Sequence, residues 1–512
     1  MRDGCIGQPR CWYILGVILI TSYIPTTTAK PPNIVFILTD DQDYTLGSQN
    51  AIKKITNLIG SQGIIFNNMF VSSPLCCPSR SSIFSGKYVH NHMAANNSVD
   101  GNCSSYAWQQ AEEPHAFPVY LKNQGYRTFF SGKYLNLYGF PQVGGPQHVP
   151  PGWDWWVGLV GNSRYYNYDL SVNGTRESHG NDYKNDYLTD VIHRRGMEFL
   201  NQQSADGDPF FMMLSTPACH EPFTPAPQYA DNFTGMVAPR DGSYNKHGDE
   251  GKHWLIRQAI TPMPNDTVIL VDDIFRNRWR TLLSVDDMVE DVYNTVKAKN
   301  MIDNTYFIFS SDNGFHLGQF SMPYDKRQLY EFDVRVPLMI SGPGIKPGQV
   351  SSAPVMNIDL GPTFVELSGQ SVPAQMDGVS MVPILMSDSS TDVVTRENFL
   401  VEHYGEHLVD NPGCPQLHNQ GMMVCHSHCE CQDSWNNTYS CLRVIGQGKN
   451  YKYCQLEDLV NFVEVYDLDK DPYEFDNIVN TADQQLIATL KQELFDLSRC
   501  SGIACKSPPL NI

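Results

Sequence analysis

A thiol, a proline and an arginine lie close together near residue 76 of this 512-residue chain. The segment PLCCPSRSSIFSGKY contains Cys76, Pro78 and Arg80. Pro78 suits the first turn of a helix, where its missing N–H group costs no hydrogen bond. The free N–H groups at the start of that helix, together with its positive dipole end, would face an anion. The pattern therefore predicts a reactive residue at a helix entrance. A cysteine of a disulfide beside a structural arginine is the alternative.

Oxygen-bearing side chains follow two strand-like apolar runs, residues 34–38 and 306–310. These side chains are Asp40, Asp41, Asp312 and Asn313. Carboxylate and amide oxygens are hard ligands that suit Ca²⁺ or Mg²⁺ better than zinc. Each pair taken alone also fits a helix cap or a turn, which are common uses of Asp and Asn. Because both pairs follow predicted strands in a chain with the cysteine segment, the sequence favours a metal site.

The formal net charge of −19 argues against binding to nucleic acids or to anionic membranes. An anionic substrate would be repelled by this overall field, so its site must be a local cationic pocket. Arg80 is one candidate for that pocket. Three others follow a predicted strand or lie near another element of the site: Lys133, His220 and Lys326.

Strand-like and helical segments alternate from residue 33 onward. The predicted strands are 34–38, 65–71, 127–130, 210–215 and 306–310. The predicted helices are 51–60, 117–123, 187–202 and 283–299. This alternation predicts an α/β fold with a large central, mostly parallel sheet sandwiched by helices. In open α/β sheets, ligands bind at the carboxyl ends of strands, where the candidate residues lie.

The two ends of the chain differ from its middle. Residues 1–29 predict a cleaved signal peptide, because the apolar run 12–20 is too short to span a bilayer. The mature protein is therefore expected to have no membrane anchor. Residues 30–375 are predicted to form the catalytic α/β domain. Residues 376–512 are predicted to form a smaller, disulfide-rich α+β domain with a short antiparallel sheet, a strand at 463–467 and a final helix at 483–497.

Cysteines and glycosylation sequons both fit the secretory pathway. Eight of the 14 cysteines are expected to form disulfides near the C-terminus: Cys414, Cys425, Cys429, Cys431, Cys441, Cys454, Cys500 and Cys505. A zinc site in the run 425–431 is the alternative. Cys77, Cys103 and Cys219 form an odd set, and we predict that Cys219 is unpaired. Six sequons predict N-glycosylation: Asn96, Asn102, Asn173, Asn232, Asn265 and Asn436.

Several segments together resemble the type I sulfatases of the alkaline phosphatase-like superfamily: ILTDDQD, PLCCPSRSSIFSGKYVHNH, FFSGKYLN, SSDNGFHLGQF and DKRQLYEFDVRVP. The resemblance runs from Asn33 to the C-terminus and is greatest to the glucosamine-6-sulfatases. It implies that Cys76 is oxidised to Cα-formylglycine (3-oxoalanine) by the formylglycine-generating enzyme, and that the hydrated aldehyde is the nucleophile. It also implies one Ca²⁺ ion bound by Asp40, Asp41, Asp312, Asn313 and the modified Cys76.

The resemblance further implies roles around the sulfate. Arg80 would hold the aldehyde hydrate, while Lys133, His220 and Lys326 would bind the sulfate group. His220 is the candidate that protonates the leaving oxygen. Leu135 is a departure, because many sulfatases have a histidine at that position. We predict substrate contacts for the residue beside it and for two residues after the second metal pair: Asn136, His316 and Gln319.

The resemblance implies a sulfatase that reaches the lysosome through the secretory pathway. Secretion from the cell is the alternative location. Its substrate would be the 6-O-sulfate of N-acetylglucosamine 6-sulfate units in the glycosaminoglycans heparan sulfate and keratan sulfate. An extracellular 6-O-endosulfatase is one alternative, although this acidic chain has no long basic insertion. A phosphohydrolase of the same superfamily would use Thr or Ser and two metals. A non-catalytic, secreted glycan-binding protein would keep Cys76 unconverted.

Overall fold

The computed structural model describes residues 30–388, 393–406, 434–459 and 461–506. Its first twelve strands are β1 Asn33–Thr39, β2 Ile64–Phe66, β3 Met69–Phe70, β4 Arg127–Gly132, β5 Trp155–Leu159, β6 Asp169–Val172, β7 Thr175–Ser178, β8 Phe210–Ser215, β9 Thr305–Ser311, β10 Leu338–Ser341, β11 Gln349–Ser351 and β12 Val355–Met356. The last four are β13 Asn398–His403, β14 Tyr439–Gly446, β15 Lys449–Leu456 and β16 Val463–Asp467.

Ten strands form the central sheet in the order β11-β2-β10-β9-β1-β8-β4-β5-β6-β7. The middle of the sheet, from β9 to β5, is parallel throughout. Antiparallel pairs flank it, with β10 beside β9 and β6 beside β5. The prediction of a mostly parallel sheet is confirmed. It follows that β9, β1, β8 and β4 end at one edge of the sheet.

Alternate residues of β1 pack into two separate apolar cores. Ile34, Phe36 and Leu38 belong to one core, while Val35 and Ile37 belong to the other. Every residue of β1 is buried, because helices cover both faces of a parallel sheet. A run of consecutive large apolar residues therefore indicates a central strand here. Because this strand is buried on both faces, it fixes the position of the aspartates that follow it.

The helices are α1 Lys53–Ile55, α2 Cys76–Ser85, α3 Val89–His92, α4 Tyr106–Ala111, α5 Phe117–Asn123, α6 Tyr183–Asp186, α7 Leu188–Asn201, α8 Trp254–Arg257, α9 Asn265–Ala298, α10 Glu331–Val334, α11 Leu360–Leu367, α12 Val382–Leu385 and α13 Gln484–Leu497. A π-helical turn, Thr56–Gly60, continues α1. In the described part of the chain, no helix is long and apolar enough to cross a membrane.

Three predicted elements differ from the structure in extent. The helix predicted at 51–60 is the short α1 followed by the π-helical turn. The strand predicted at 65–71 is divided into β2 and β3. The helix predicted at 283–299 is the second half of α9, which has 34 residues. The spacing of the apolar residues Val271, Ile274 and Phe275 has the period of a helix and therefore indicates the first half of α9.

The smaller sheet is antiparallel throughout, in the order β13-β14-β15-β16, and α13 packs against it. This confirms the antiparallel sheet and the final helix that the sequence predicted. Cys441 and Cys454 face each other across β14 and β15 and form a disulfide. The described residues from Pro31 onward belong to one compact unit. The domain boundary after residue 375 stays a prediction.

Candidate active site

Cys76 is the first residue of α2, and its side chain is completely buried. Leu75 before it is extended, and Pro78 lies in the first helical turn, as the sequence predicted. Gly86 ends the helix in a left-handed conformation with φ of 69°, which glycine adopts without a steric cost. The neighbouring Cys77 forms a disulfide with Cys103. Cys76 therefore stays a free thiol at a helix entrance.

The four predicted metal ligands meet beside this thiol. The sulfur of Cys76 lies 3.7 Å from Asp40 Oδ1 and 3.9 Å from Asp41 Oδ1. The backbone N–H of Asp41 donates to Asp312 Oδ1 at 2.9 Å, and Asn313 Nδ2 donates to Asp41 Oδ1 at 2.8 Å. Parallel pairing of β1 with β9 brings these two pairs together, because Thr39 lies opposite Ser311.

Three buried cations surround the carboxylates. Lys133 Nζ contacts Asp40 Oδ2 at 2.7 Å, and Lys326 Nζ contacts the two carboxylate oxygens of Asp41 at 2.7 and 2.6 Å. Arg80 Nε donates to Asp312 Oδ2 at 2.7 Å. The same arginine donates from Nη1 to the backbone carbonyl of Lys133 at 2.7 Å. The cations that the sequence predicted are therefore brought together, although the three carboxylates Asp40, Asp41 and Asp312 balance their charge.

His220 completes the group that the sequence predicted. Its Nε2 lies 3.9 Å from Asp41 Oδ2, and its Nδ1 is 2.7 Å from the carbonyl oxygen of Glu221. Nδ1 therefore carries the hydrogen, and Nε2 faces the carboxylates. Burial lowers the pKa of His220 to about 4, against the opposing effect of Asp40. Ligand atoms of Asp40, Asp41, Cys76 and His220 all lie within 4.8 Å of one another.

Charge compensation within the cluster is uneven. Burial would raise the pKa of Asp40, but Lys133, His220 and Arg80 outweigh it and hold that pKa well below its usual value. Burial and the charge of Asp40 together raise the pKa of Asp312 to about 7. Asp312 is thus the carboxyl group that the local cations compensate least. Burial also raises the pKa of the Cys76 thiol to about 12.

Two buried polar atoms in the cluster have no hydrogen-bond partner among the described residues. They are Asn313 Oδ1, an acceptor, and Arg80 Nη2, a donor. A buried polar atom without a partner is costly, so each of these two atoms is available to a ligand or to an ordered water. The acceptor is an oxygen beside three carboxylates, which is a donor set that fits a hard divalent cation. The residues present therefore fit the metal that the resemblance implies.

Sequence reasoning missed two residues that support the cluster. The hydroxyl of Ser163 donates to Asp40 Oδ2. Arg278 of α9 donates from Nη2 to the carbonyl of Asp41 at 2.7 Å and to Asp43 Oδ1 at 2.8 Å. Ser163 lies in a loop without a motif, so no sequence signal marked it. Arg278 lies one turn before Leu282 in α9. It belongs to the half of that helix that the sequence did not predict, so its buried position was not predicted either.

The three predicted substrate contacts have different surroundings. His316 is fully buried with Nδ1 3.0 Å from Asp333 Oδ2, and Gln319 donates to Asp241 Oδ2 at 3.1 Å. Neither residue lines the two cavities next to His220. Their positions therefore do not support a contact with a sugar. Asn136 is 4% exposed, and its Oδ1 finds no hydrogen-bond partner in the described part of the chain. All three assignments stay predictions.

The free thiol predicted at Cys219 is confirmed, and it is buried. Among the glycosylation sequons, Asn173, Asn232 and Asn265 are exposed, and Asn96 and Asn102 are half-buried. Asn436 is only 8% exposed and accepts a hydrogen bond from Ser434, which does not favour a glycan there. All six stay predictions. The signal peptide, the zinc alternative and four of the C-terminal cysteines lie outside the described residues.

Two adjoining cavities lead from the cluster to the surface. The inner cavity has a volume of about 70 Å³, and its lining includes Asp41, Asn97, Asn162, His220, Lys326 and Arg327. The outer cleft has a volume of about 540 Å³, and its lining includes Asn162, Arg164, Tyr166, Asn167, Glu221 and Thr224. Asn162, His220 and Glu221 line both. The inner cavity has room for a small anionic group, and the outer cleft is large enough for a sugar.

Comparison with known proteins decides which family this arrangement represents. The sequence profile of the family described as Sulfatase matches residues 32–370. The chain belongs to the sulfatase family. It is 49% identical over 508 residues to N-acetylglucosamine-6-sulfatase of Homo sapiens, which covers 99% of this chain and 89% of the relative. It is 39% identical over 409 residues to the extracellular sulfatase SULF-1 homolog of Drosophila melanogaster, covering 78% of this chain and 36% of that relative.

Solved structures share the sulfatase fold of this chain. One is a protein in complex with its substrate D-glucosamine-2-N,6-O-disulfate, with a TM-score of 0.73 and 23% identity over 92% of this chain and 98% of that one. Another is a phosphonate monoester hydrolase from Silicibacter pomeroyi, with a TM-score of 0.69 and 17% identity over 92% and 96%. The predicted fold class is confirmed, as is the prediction that this member of the sulfatase family is a sulfuric ester hydrolase.

Proposed function

We propose that this sulfatase hydrolyses the 6-O-sulfate ester of N-acetylglucosamine 6-sulfate units in heparan sulfate and keratan sulfate. The observation that carries the proposal is the convergence of Arg80, Lys133, Lys326 and His220 on the carboxylate cluster beside Cys76. The choice of sugar position rests on the relative that is 49% identical over nearly the full length of this chain. We also propose that the protein reaches the lysosome through the secretory pathway.

Two groups complete the proposed site. Asp40, Asp41, Asp312 and Asn313 would hold Ca²⁺ together with residue 76, which fits the acceptor at Asn313 Oδ1 that has no protein partner. Formylglycine at position 76, made from the cysteine by the formylglycine-generating enzyme, would supply the attacking oxygen. A calcium ion would supply positive charge close to the ester, which favours developing negative charge. The thiol of Cys76 lies at the helix entrance, where the dipole adds to that field.

The side chains of the chain itself account for binding and for proton transfer. Lys133 and Lys326 are fixed by Asp40 and Asp41, so their ammonium groups are oriented before a sulfate group arrives. Preoriented cations stabilise charge on the transferring group without a further reorganisation cost. Among the described residues, Arg80 Nη2 has no hydrogen-bond acceptor and lies 3.7 Å from Asp40 Oδ1, so it can donate to an oxygen of the substrate. His220 presents Nε2 toward the cluster, and once Nε2 has bound a proton it is the group placed to pass that proton to the leaving oxygen.

The share of each relative's length that this chain matches favours an N-acetylglucosamine-6-sulfatase over the endosulfatase alternative. The N-acetylglucosamine-6-sulfatase of Homo sapiens is matched over 89% of its length, whereas the SULF-1 homolog is matched over 36%. The glycan-binding alternative does not require a cluster of buried carboxylates and cations, because sugar recognition needs no buried group of this charge.

A substrate panel tests the proposal. The full-length protein, made in a secretory host that converts the cysteine, is incubated with glucosamine derivatives sulfated at the 6-, 3- or N-position and with 4-sulfated galactosamine. We expect sulfate release from the 6-ester alone, loss of activity with a chelator and recovery with Ca²⁺. Release from another position at a comparable rate, or no release from the 6-ester, would contradict the proposal.

The state of residue 76 is tested in the same preparation. Exchange of the thiol for an aldehyde makes the peptide that contains residue 76 lighter, and this is measured by mass spectrometry. We expect the lighter form in active protein, and Cys76→Ala serves as the variant that lacks the precursor. A fully active protein whose peptide keeps the thiol would rule out formylglycine as the nucleophile.

A further inference from the structure

The loop 162–165 forms one wall of the outer cleft and is attached to the proposed catalytic cluster at two points. The hydroxyl of Ser163 donates to Asp40. The hydroxyl of Tyr165 donates to the backbone carbonyl of His220 at 3.0 Å. Ser163 and Tyr165 are both buried. The backbone between these two residues is therefore held in a fixed position relative to the residues that act on the sulfate ester.

Alternation along this loop exposes Arg164. Asn162 and Arg164 are exposed, whereas Ser163 and Tyr165 between and beside them are buried, and all four residues line the outer cleft. Within the described part of the chain, Arg164 forms no hydrogen bond or ion pair, unlike Arg80 and Lys326 of the inner cluster. An unpaired arginine at the mouth of an active site, in a chain with a net charge of −19, is available to bind an anion.

The remaining lining of the outer cleft suits a carbohydrate. Asn162, Asn167 and Thr224 offer amide and hydroxyl groups for sugar hydroxyls, and the partly exposed ring of Tyr166 offers an apolar face. The volume of about 540 Å³ lies within the range of about 300–1,000 Å³ for ligand clefts. An arginine matches a carboxylate or sulfate because its planar group donates two parallel hydrogen bonds.

We propose that the outer cleft binds the sugar to which the 6-sulfated glucosamine is linked, and that Arg164 binds a carboxylate on that sugar. This inference rests on the proposed function, because the inner cavity must hold the 6-sulfate group. It makes Arg164 a specificity-determining residue that favours chains in which a uronic acid follows the glucosamine. A chain with a neutral sugar at that position, as in a galactose-containing glycan, gains nothing from Arg164.

Three substrates separate the contributions. They are 6-sulfated N-acetylglucosamine alone, the same sugar linked to a uronic acid, and that disaccharide with the carboxylate reduced to an alcohol. For the wild-type enzyme, kcat/KM is expected to be higher for the uronate disaccharide than for the reduced one. In Arg164→Gln this ratio is expected to fall about five- to tenfold, as for loss of a partly exposed charge-assisted hydrogen bond. Arg164→Lys is expected to restore part of it, because the charge remains without the paired donors.

Matched controls make the result decisive. Arg499→Gln removes an arginine at the end of α13, outside the cleft, and is expected to leave the ratio at the wild-type value. Glucosamine-2-N,6-O-disulfate tests the other source of an anion, since its second sulfate lies on the same sugar. A ratio that is unchanged in Arg164→Gln, or a loss seen only with the N-sulfated monosaccharide, would overturn the inference. Inactivity of the wild-type enzyme on every 6-sulfated substrate would instead overturn the proposed function.

Discussion

Gly132 is the last residue of β4, and it precedes Lys133 of the cluster. Its φ of +116° lies in a region that other L-residues rarely adopt. A Cβ atom at this position would lie 1.8 Å from the backbone oxygen of Ser215 and 2.7 Å from its carbonyl carbon. Real Cβ contacts essentially never fall below 3.0 Å. Gly132→Ala must therefore separate β4 from β8 by about 1.2 Å, the gap between 1.8 and 3.0 Å, or twist the end of the strand.

The same displacement would disturb the proposed catalytic cluster. The N–H of Lys133 donates to the Ser215 carbonyl at 3.0 Å, and the Ser215 hydroxyl donates to the Lys133 carbonyl at 2.6 Å. Arg80 donates to that hydroxyl at 2.8 Å. Overpacking costs about 1–3 kcal/mol and the left-handed backbone about 1 kcal/mol more. A misplacement of about 1 Å at catalytic groups lowers the rate about 100-fold.

Gly348→Ala is the matched control for this substitution. Gly348 also has a positive φ, +73°, but no atom lies within 4 Å of a Cβ built there. Urea unfolding and kcat/KM on the 6-sulfated sugar are measured for both variants. We expect Gly132→Ala to lose about 2–4 kcal/mol of unfolding free energy and about 100-fold in kcat/KM. Gly348→Ala is expected to lose about 1 kcal/mol and no activity. Equal stability of the two variants, or full activity of Gly132→Ala, would refute this reasoning.

Three further predictions concern the cluster and its surroundings. Lys326→Met removes the cation that contacts Asp41, so kcat/KM is expected to fall about 10²–10³-fold, while Lys346→Met, which breaks an exposed ion pair, leaves it unchanged. Ser163→Ala removes a donor to the buried Asp40 carboxylate and is expected to lower kcat/KM by about tenfold or more, with a weaker response to added Ca²⁺ in a titration of activity. Burial, aided by Arg327, lowers the pKa of His403 to about 3 in the folded protein. An unfolded histidine titrates near about 6.5, so the unfolded chain binds the extra proton between these values, and folding stability falls as the pH drops below about 6.5. At pH near 4.5 the loss is about 3 kcal/mol, and His403→Phe should remove that part of the difference between urea unfolding at neutral and at acidic pH. An unchanged difference would show that His403 is not its source.

The centre of the fold and the cluster were predictable because local signals agreed with the global topology. The apolar run of β1 is buried along its whole length, and parallel pairing with β9 places its aspartates beside Asp312 and Asn313. Asp41 and Asp312 are 271 residues apart in the sequence. Their proximity was predicted from one general rule, that ligands bind at the carboxyl ends of parallel strands. The helix entrance at Cys76 followed from the proline in its first turn.

Other features depend on directions that a linear pattern does not encode. His316 lies three residues beyond Asn313, yet its ring is fully buried against Asp333 and does not line the inner cavity. Ser163 and Arg164 belong to a loop whose path is set by tertiary contacts rather than by turn residues. The antiparallel strands β6 and β7 are short and half-exposed, so their alternation is weak in the sequence.

The disulfide between Cys77 and Cys103 has a consequence for the maturing chain. Cys76 and Cys77 are adjacent, so a bond from either sulfur to Cys103 closes a loop of nearly the same length, 26 residues for the native pair. Loop-closure entropy changes very slowly with length, and it gives almost no preference between the two pairings. Only the fold of the surrounding residues selects the native partner. A bridge from Cys76 to Cys103 would leave Cys77 as the free thiol, and residue 76 could not be converted to the proposed formylglycine.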